Sequence, residues 1–466
     1  MFPHLIVLAS AGGAATGEPA ILPMVVLGTI MVATYAVIAF EKLHKSLAAM
    51  LGAIVAVIAA LAFGLFPHLP GTRNPYGVVH HIIGHELGVL GVIIGTSILV
   101  DVVSKSGLFH FIAVKIVKRT QGDPKKLFFF VTLLTMVFVT LLTIAPGSLI
   151  VVSLALVVAK SLALNPKPYV MSVAIVANSA ALTTLASGIC TLMLGSAANL
   201  PYVSFFRVTT PMAFITAGIA FFLLQRFYGG LLTATGTPQE RAAKVAQFDE
   251  WALVKDRRVF YRCAIILVGT IIGFAAAGKL NVGLDFIAIT GGIAALLLSG
   301  TDPEEAIKMV KWPVILFFVG LFVIIGAVEH SHLLDRLATA IVGLSGGSET
   351  GTMMIISGFV LMLSGVVDNI PVAATLIPIV RNLGAQGMGV DPIWWALIMT
   401  ANIGGNSTPV GSISSVIALS AMEKESGIKV GWGEFIKVGG TILLVQGVAI
   451  FGYLLLFERF GLFPVR

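Results

Sequence analysis

Charge is scarce in this 466-residue chain. Asp, Glu, Lys and Arg make up 11% of it, against roughly 25% in a soluble domain. That shortage excludes a soluble globular protein. Cysteine is nearly absent too. Cys190 and Cys263 stand far apart, so neither a disulfide framework nor a thiolate metal site is expected. Acids are fewer than bases, and the net charge is +7. In a chain of this kind that excess reflects membrane topology and phosphate headgroups rather than nucleic acid. ATPase machinery is also missing. Gly273-Phe-Ala-Ala-Ala-Gly278-Lys279 looks like the start of a phosphate-binding loop. It is followed by Leu280 instead of Ser or Thr and lies inside an apolar run, where the mechanism of that loop cannot operate. Met1–Pro19 carries a short apolar run without a basic segment before it, and reads as a plain tail rather than a signal peptide.

What the chain does have is hydrophobicity: 57% apolar residues and a mean hydropathy of +1.01. Spans are expected at about 23–40, 46–66, 87–103, 208–224, 263–278, 282–298 and 314–328, with broken segments between them. Basic residues orient the spans. Glu41–Lys45 is a basic turn. Lys105, Lys115, Lys118, Arg119, Lys125 and Lys126 follow the third span, and further Lys and Arg crowd the stretch from Arg226 to Arg262. All three places are expected in the cytoplasm. Asp101, one helical turn from Lys105, reads equally as part of an ion path or as half of an interfacial ion pair. His81 and Glu86 could bind a metal, but a solvated loop with scattered histidines is the preferred reading.

The most informative stretch is Ser364–Ser420. It opens Ser364-Gly-Val-Val-Asp368-Asn369-Ile-Pro371 and continues Asn402-Ile-Gly404-Gly405-Asn406-Ser407-Thr408-Pro409-Val-Gly411. Apolar sequence flanks both parts, which puts a carboxylate at bilayer depth, at a cost of about 2.5–3.5 kcal/mol on insertion scales. The glycines and proline should break a helix mid-span. Broken helices persist in membranes only where protein buries them or a cavity wets them. An intramembrane acid beside a discontinuous helix points to the binding site of a secondary transporter.

A second stretch repeats the plan: Ala145-Pro-Gly-Ser148 after an apolar run, then Asn178-Ser-Ala-Ala-Leu-Thr183-Thr184 and Ser187-Gly188. Pro168 and Pro392 each open a broken helix, and Asn178 and Asn402 each begin a polar run, at one constant spacing. The span ending near Asp101 runs outside to inside and its counterpart, 314–328, runs inside to outside. The copies are therefore inverted, the architecture of alternating access. The expected fold class is an all-α polytopic membrane protein with about 10–12 transmembrane segments in two inverted repeats, each with a re-entrant hairpin and a broken helix. Its expected divisions are N-terminal scaffold spans (1–86), a first repeat (87–225), a cytoplasmic linker (226–262), linking scaffold spans (263–312) and a second repeat (313–466).

These motifs resemble the ion transporter superfamily, in the branch of arsenical-pump membrane proteins, the melanosomal P protein and D-type sodium/proton antiporters. Lys311-Trp-Pro-Val-Ile-Leu-Phe-Phe-Val-Gly320 is similar to the entry of a scaffold span in that family. One departure stands out. The family usually repeats an acidic motif in the first hairpin and a Gly-Gly run in the first broken helix; here those places hold Ala145–Ser148 and Ala180-Ala181. A lopsided site with one carboxylate is expected.

The resemblance and the residues together imply a membrane transporter, not an enzyme, in a prokaryotic plasma membrane. The expected function is proton-coupled secondary transport of a small inorganic ion, with Asp368 carrying the proton. Asn369, Asn402, Asn406, Ser407 and Thr408, with the breaks at Gly404-Gly405, would hold the cargo. Asn178, Thr183, Thr184, Ser187 and Gly188 would face them. Arsenite or antimonite is the first cargo expected, since a neutral trihydroxide suits amides and hydroxyls with one acid. A sodium/proton antiporter is the alternative, and an anion symporter of dicarboxylate or sulfate type the next. No cofactor, resident metal or nucleic acid is expected. The partners are the ion, protons and lipid; a homodimer and a soluble ATPase partner are compatible with the chain.

Overall fold

In this computed structural model the described residues are 21–39, 43–67, 76–234 and 236–464; the N-terminal tail expectation lies outside them. Among the described residues nine helices are long and apolar enough to cross a membrane, and Leu284–Ser299 and Glu349–Leu363 are shorter apolar helices. Their outer faces carry large exposed side chains such as Phe222, Ile265 and Leu297. In lipid such faces need no partner, because the acyl tails are as apolar as they are.

The order of elements repeats. Helices Lys45–Ala62 and Leu87–Lys105 precede a hairpin of Pro124–Leu142 and Ile144–Ser161, a broken pair Lys167–Ala180 and Ile189–Ala197, and a closing helix Tyr202–Tyr228. Helices Leu284–Ser299 and Trp312–Glu329 precede a hairpin of Glu349–Leu363 and Asn369–Ala385, a broken pair Asp391–Gly404 and Ile413–Ser426, and a closing helix Trp432–Arg459. The scaffold helices pair crosswise. Gly320 lies against Ala49 and Gly52 against Ile324, so Lys45–Ala62 packs parallel to Trp312–Glu329. Gly91 lies against Asp285 and Gly95 against Ala288, so Leu87–Lys105 packs parallel to Leu284–Ser299. Each contact is the other's counterpart when one copy is turned over onto the second. The missing Cβ at Gly95 matters most: one built there would strike the backbone of Ala288 and Ile289.

Sequence chemistry explains the helix starts. Asp123 accepts from the backbone N–H groups of Lys125 and Lys126, and Pro124 opens the helix, at the one place where a missing N–H costs nothing. Pro168, Pro313 and Pro392 are the second residues of theirs.

The structure shifts two expected boundaries. The first hairpin turns at Thr143, not across Ala145–Ser148; those four residues lie in the first turns of Ile144–Ser161. A proline early in a helix is tolerated, so Pro146 starts a helix rather than ending one. The stretch at 226–262 is not all loop. It holds the helix Pro238–Ala246, closed by a capping box between Thr237 and Glu240, and it includes the start of the helix Arg257–Leu280.

Candidate functional site

Both discontinuous helices are broken over eight residues, 181–188 and 405–412. The breaks free carbonyls that lipid cannot hydrate, and hydroxyls take up the role. Ser187 Oγ donates to the carbonyls of Ala181 at 2.7 Å and Thr184 at 2.6 Å. Thr191 Oγ1 donates to Ala181 at 2.7 Å. In the second copy Ser407 Oγ reaches the Gly404 carbonyl at 3.2 Å, Thr408 Oγ1 the Gly365 carbonyl at 2.6 Å and Ser364 Oγ the Ala401 carbonyl at 2.6 Å. The last two bonds tie the second break to the second hairpin tip.

A line of buried amides joins the copies. Asn178 Nδ2 donates to Asn406 Oδ1 at 2.8 Å, Asn406 Nδ2 to Gln446 Oε1 at 2.9 Å, and Gln446 Nε2 to the Thr216 carbonyl at 2.8 Å. It crosses both broken helices and both closing helices. Asn402 Nδ2 donates to Thr191 Oγ1 at 3.0 Å and to the Ile398 carbonyl at 2.8 Å. Its Oδ1 is buried without a partner among the described residues.

Asp368 stands at the tip of the second hairpin. It is 8% exposed and caps its own helix, accepting from the Ile370 N–H at 3.3 Å. Its other oxygen accepts from Lys45 Nζ at 2.8 Å. Lys45 opens the helix Lys45–Ala62, and its side chain is 34% exposed. The pair forms part of the wall of a cavity of about 570 Å³. His44, Ser46 and Ser412 add polar groups to it, and Phe317, Ile370, Ile413 and Ile417 add apolar surface. Leu43–Ser46 belong to the turn that opens the helix Lys45–Ala62, so the cavity lies at that end of the helix.

The sequence-predicted residues fall into three groups. Asp368 lines the cavity. Asn369 follows it at the hairpin tip, and Asn402, Gly404, Gly405, Asn406, Ser407 and Thr408 form or flank the second break, mostly bonded to protein. Asn178, Thr183, Thr184 and Ser187 lie buried around the first break. There Thr183 shares a hydrogen bond of 2.7 Å with Thr140 of the first hairpin, and Gly188 caps the following helix in extended backbone. Cys190 meets the second hairpin, its Sγ 3.9 Å from the Asn369 carbonyl. Sequence reasoning missed Lys45, Gln446 and Ser412. Lys45 was taken for a topology signal, and nothing local in the sequence separates a topology lysine from a site lysine. Gln446, a lone amide in the run Ile442–Phe451, was the legible one.

The model of the CitMHS citrate transporter family matches residues 35–400, with an overlapping match over 282–464. The chain belongs to this family. It is a membrane transporter. A 46 kDa membrane protein of Mycobacterium leprae is 28% identical to it over 421 residues, covering 90% of this chain and 95% of that one. The P protein of Mus musculus is 23% identical over 504 residues, covering 92% of this chain and 59% of its own length. The crystal structure of the YdaH transporter of Alcanivorax borkumensis, described as having an unusual topology, superposes with a TM-score of 0.56 at 17% identity. It covers 90% of this chain and 99% of that one. That likeness concerns the fold and says nothing about cargo. Membership of the ion transporter superfamily, implied by the motifs around Asp368 and Asn402, agrees with these relatives.

Proposed function

We propose that this protein is a proton-coupled secondary transporter of small carboxylate anions, with Asp368 as the proton carrier. One observation carries the reading: the 2.8 Å pair of Lys45 and Asp368 in the wall of a cavity. With Asp368 ionised, its charge offsets the ammonium. Protonation of Asp368 releases Lys45 to hold an anion, so proton and anion favour each other's binding, and by linkage each raises the other's affinity by the same factor. The cavity volume of about 570 Å³ falls within the range of small-molecule sites. The citrate transporter description of the family supports the same cargo class.

Lys45 also reorders the cargo candidates. Arsenite suited a site with one acid and no cation. A neutral trihydroxide gains little from a released ammonium, so it now ranks below a carboxylate. Sodium would compete with Lys45 for Asp368 and needs no anion.

Purified protein in liposomes separates these readings. Labelled citrate should accumulate when the outside is acid, with no accumulation of arsenite and no sodium-driven proton movement. Sodium-dependent proton flux without a carboxylate would turn the reading to the antiporter. Arsenite flux alone would restore the first expectation.

A further inference from the structure

A second, smaller chamber lies beside the first hairpin tip. Its volume is about 30 Å³, and Thr96, Ser97, Thr143 and Lys311 supply its polar lining. Ile189 and Val314 line both this chamber and the large cavity. The two spaces are therefore neighbours that share these two residues as common wall. We propose that the chamber is the second half of the cargo site and that Lys311 selects cargo carrying at least two anionic groups. The proposal rests on the carboxylate reading above and adds to it the number of charges the cargo must bear.

Three observations support it. First, Lys311 has spare donor capacity. Among the described residues no carboxylate lies within ion-pair distance of its ammonium. The acid that acts on it is Asp101, at longer range. The ion pair of Asp101 with Lys105 is not formed; Lys105 lies 4.0 Å from Glu305 instead. Second, Lys311 caps the start of the helix Trp312–Glu329, where a cation opposes the helix dipole. A lysine held against that field serves something other than its own helix. Third, the chamber is built for an anion on its other walls too. Gly188 opens the helix Ile189–Ala197 with no side-chain cap and lines the chamber together with the hydroxyl residues Thr96, Ser97 and Thr143. Thr143 is held there at φ 75°, ψ 169°, a backbone region almost restricted to glycine.

The chamber has room for about two water-sized groups, the size of one carboxylate. A cargo with a single carboxylate satisfies Lys45 and stays in the large cavity. A di- or tricarboxylate places a second group past Ile189 and Val314, onto Lys311.

The test uses the full chain in liposomes, with labelled citrate as cargo and succinate and acetate as competitors. Wild-type protein should be inhibited far better by succinate than by acetate. In Lys311→Gln the citrate KM should rise at least about tenfold, the size of one lost charge-assisted hydrogen bond, while kcat falls less and acetate inhibition stays unchanged. Lys311→Arg should restore the succinate preference. If Lys311→Gln does not fold, Ser97→Val keeps the charge and should still raise the citrate KM severalfold. The proposal is overturned if folded Lys311→Gln keeps the wild-type succinate-to-acetate ratio or, where that variant does not fold, if Ser97→Val keeps the wild-type citrate KM. Either result beside wild-type protein that moves citrate defeats this inference alone; wild-type protein that moves no carboxylate defeats the proposed function itself.

Discussion

The two hairpin tips hold matching places in the two copies and differ in chemistry. The second tip presents Asp368, a helix cap paired with Lys45, to a cavity of about 570 Å³. The first presents Thr143, uncharged and in a backbone conformation suited to glycine, to a chamber of about 30 Å³. Around them the frames agree: a hairpin, a break of eight residues and a closing helix in each copy. The repeat thus fixes the backbone plan, and the tip carboxylate is set in one copy only. A scaffold that rocks between two related arrangements needs matching frames. It does not need two matching acids.

That contrast can be broken at either tip. The largest effect is expected for Lys45→Met. It leaves Asp368 without this ammonium and removes the proposed anion anchor, so citrate uptake should fall to background. Losing a hydrogen bond between charged groups costs about 1.5–3 kcal/mol of stability, and less here because Lys45 is partly exposed. Uptake close to wild type would mean that the second tip is no more charged in function than the first.

The shared frame comes next. A Cβ on Gly439 would run into the Asn406 carbonyl, so Gly439→Ala should destabilise by about 1–3 kcal/mol through overpacking, read as a lower melting temperature in detergent. Asn178→Leu strands the buried Oδ1 of Asn406, at about 1–3 kcal/mol. Melting unchanged in both variants would show that the amide line between the copies contributes little.

Thr143→Gly should act in the opposite direction. It relieves about 1–3 kcal/mol of backbone strain and adds chain entropy worth about 0.5–1 kcal/mol. Melting should be equal to or above wild type; a clear drop would mean that the threonine side chain stabilises the tip by more than its backbone costs.

The smallest effect lies outside both tips. Glu250, in the linker between the two copies, is hydrogen-bonded by Lys118, which holds its carboxyl below the usual carboxylate range. A lowered folded value means that the pair contributes above the unfolded carboxyl range and is lost as pH falls through the folded one. Proteolysis of the linker should therefore quicken slightly at acid pH, and Glu250→Gln should remove that acid-dependent change. An unchanged acid response in that variant would free the linker from this pair.

The breaks were legible because glycines, prolines and small polar residues interrupt apolar sequence at Ser187-Gly188 and Gly404-Gly405. Asp368 was legible because a carboxylate at that depth has a cost that needs a reason. The first hairpin turn was not, because Ala145-Pro146-Gly147 carries every local turn signal while the chain turns at Thr143, a residue disfavoured there. Lys45 was hidden for a different cause. It is 323 residues from Asp368 in sequence and sits where orienting lysines normally sit. The inward role of Asn178 and Asn406 toward each other, rather than toward open space, depends on how two distant helices cross, which local pattern does not encode.

The central claim is that protonation of Asp368 frees Lys45 for an anion. Uptake of labelled citrate into liposomes, with and without an inward proton gradient, tests it most directly when wild type is set beside Asp368→Asn. The account predicts that the gradient accelerates wild-type uptake and leaves the folded variant unaffected. A variant that still responds to the gradient as wild type does would contradict it.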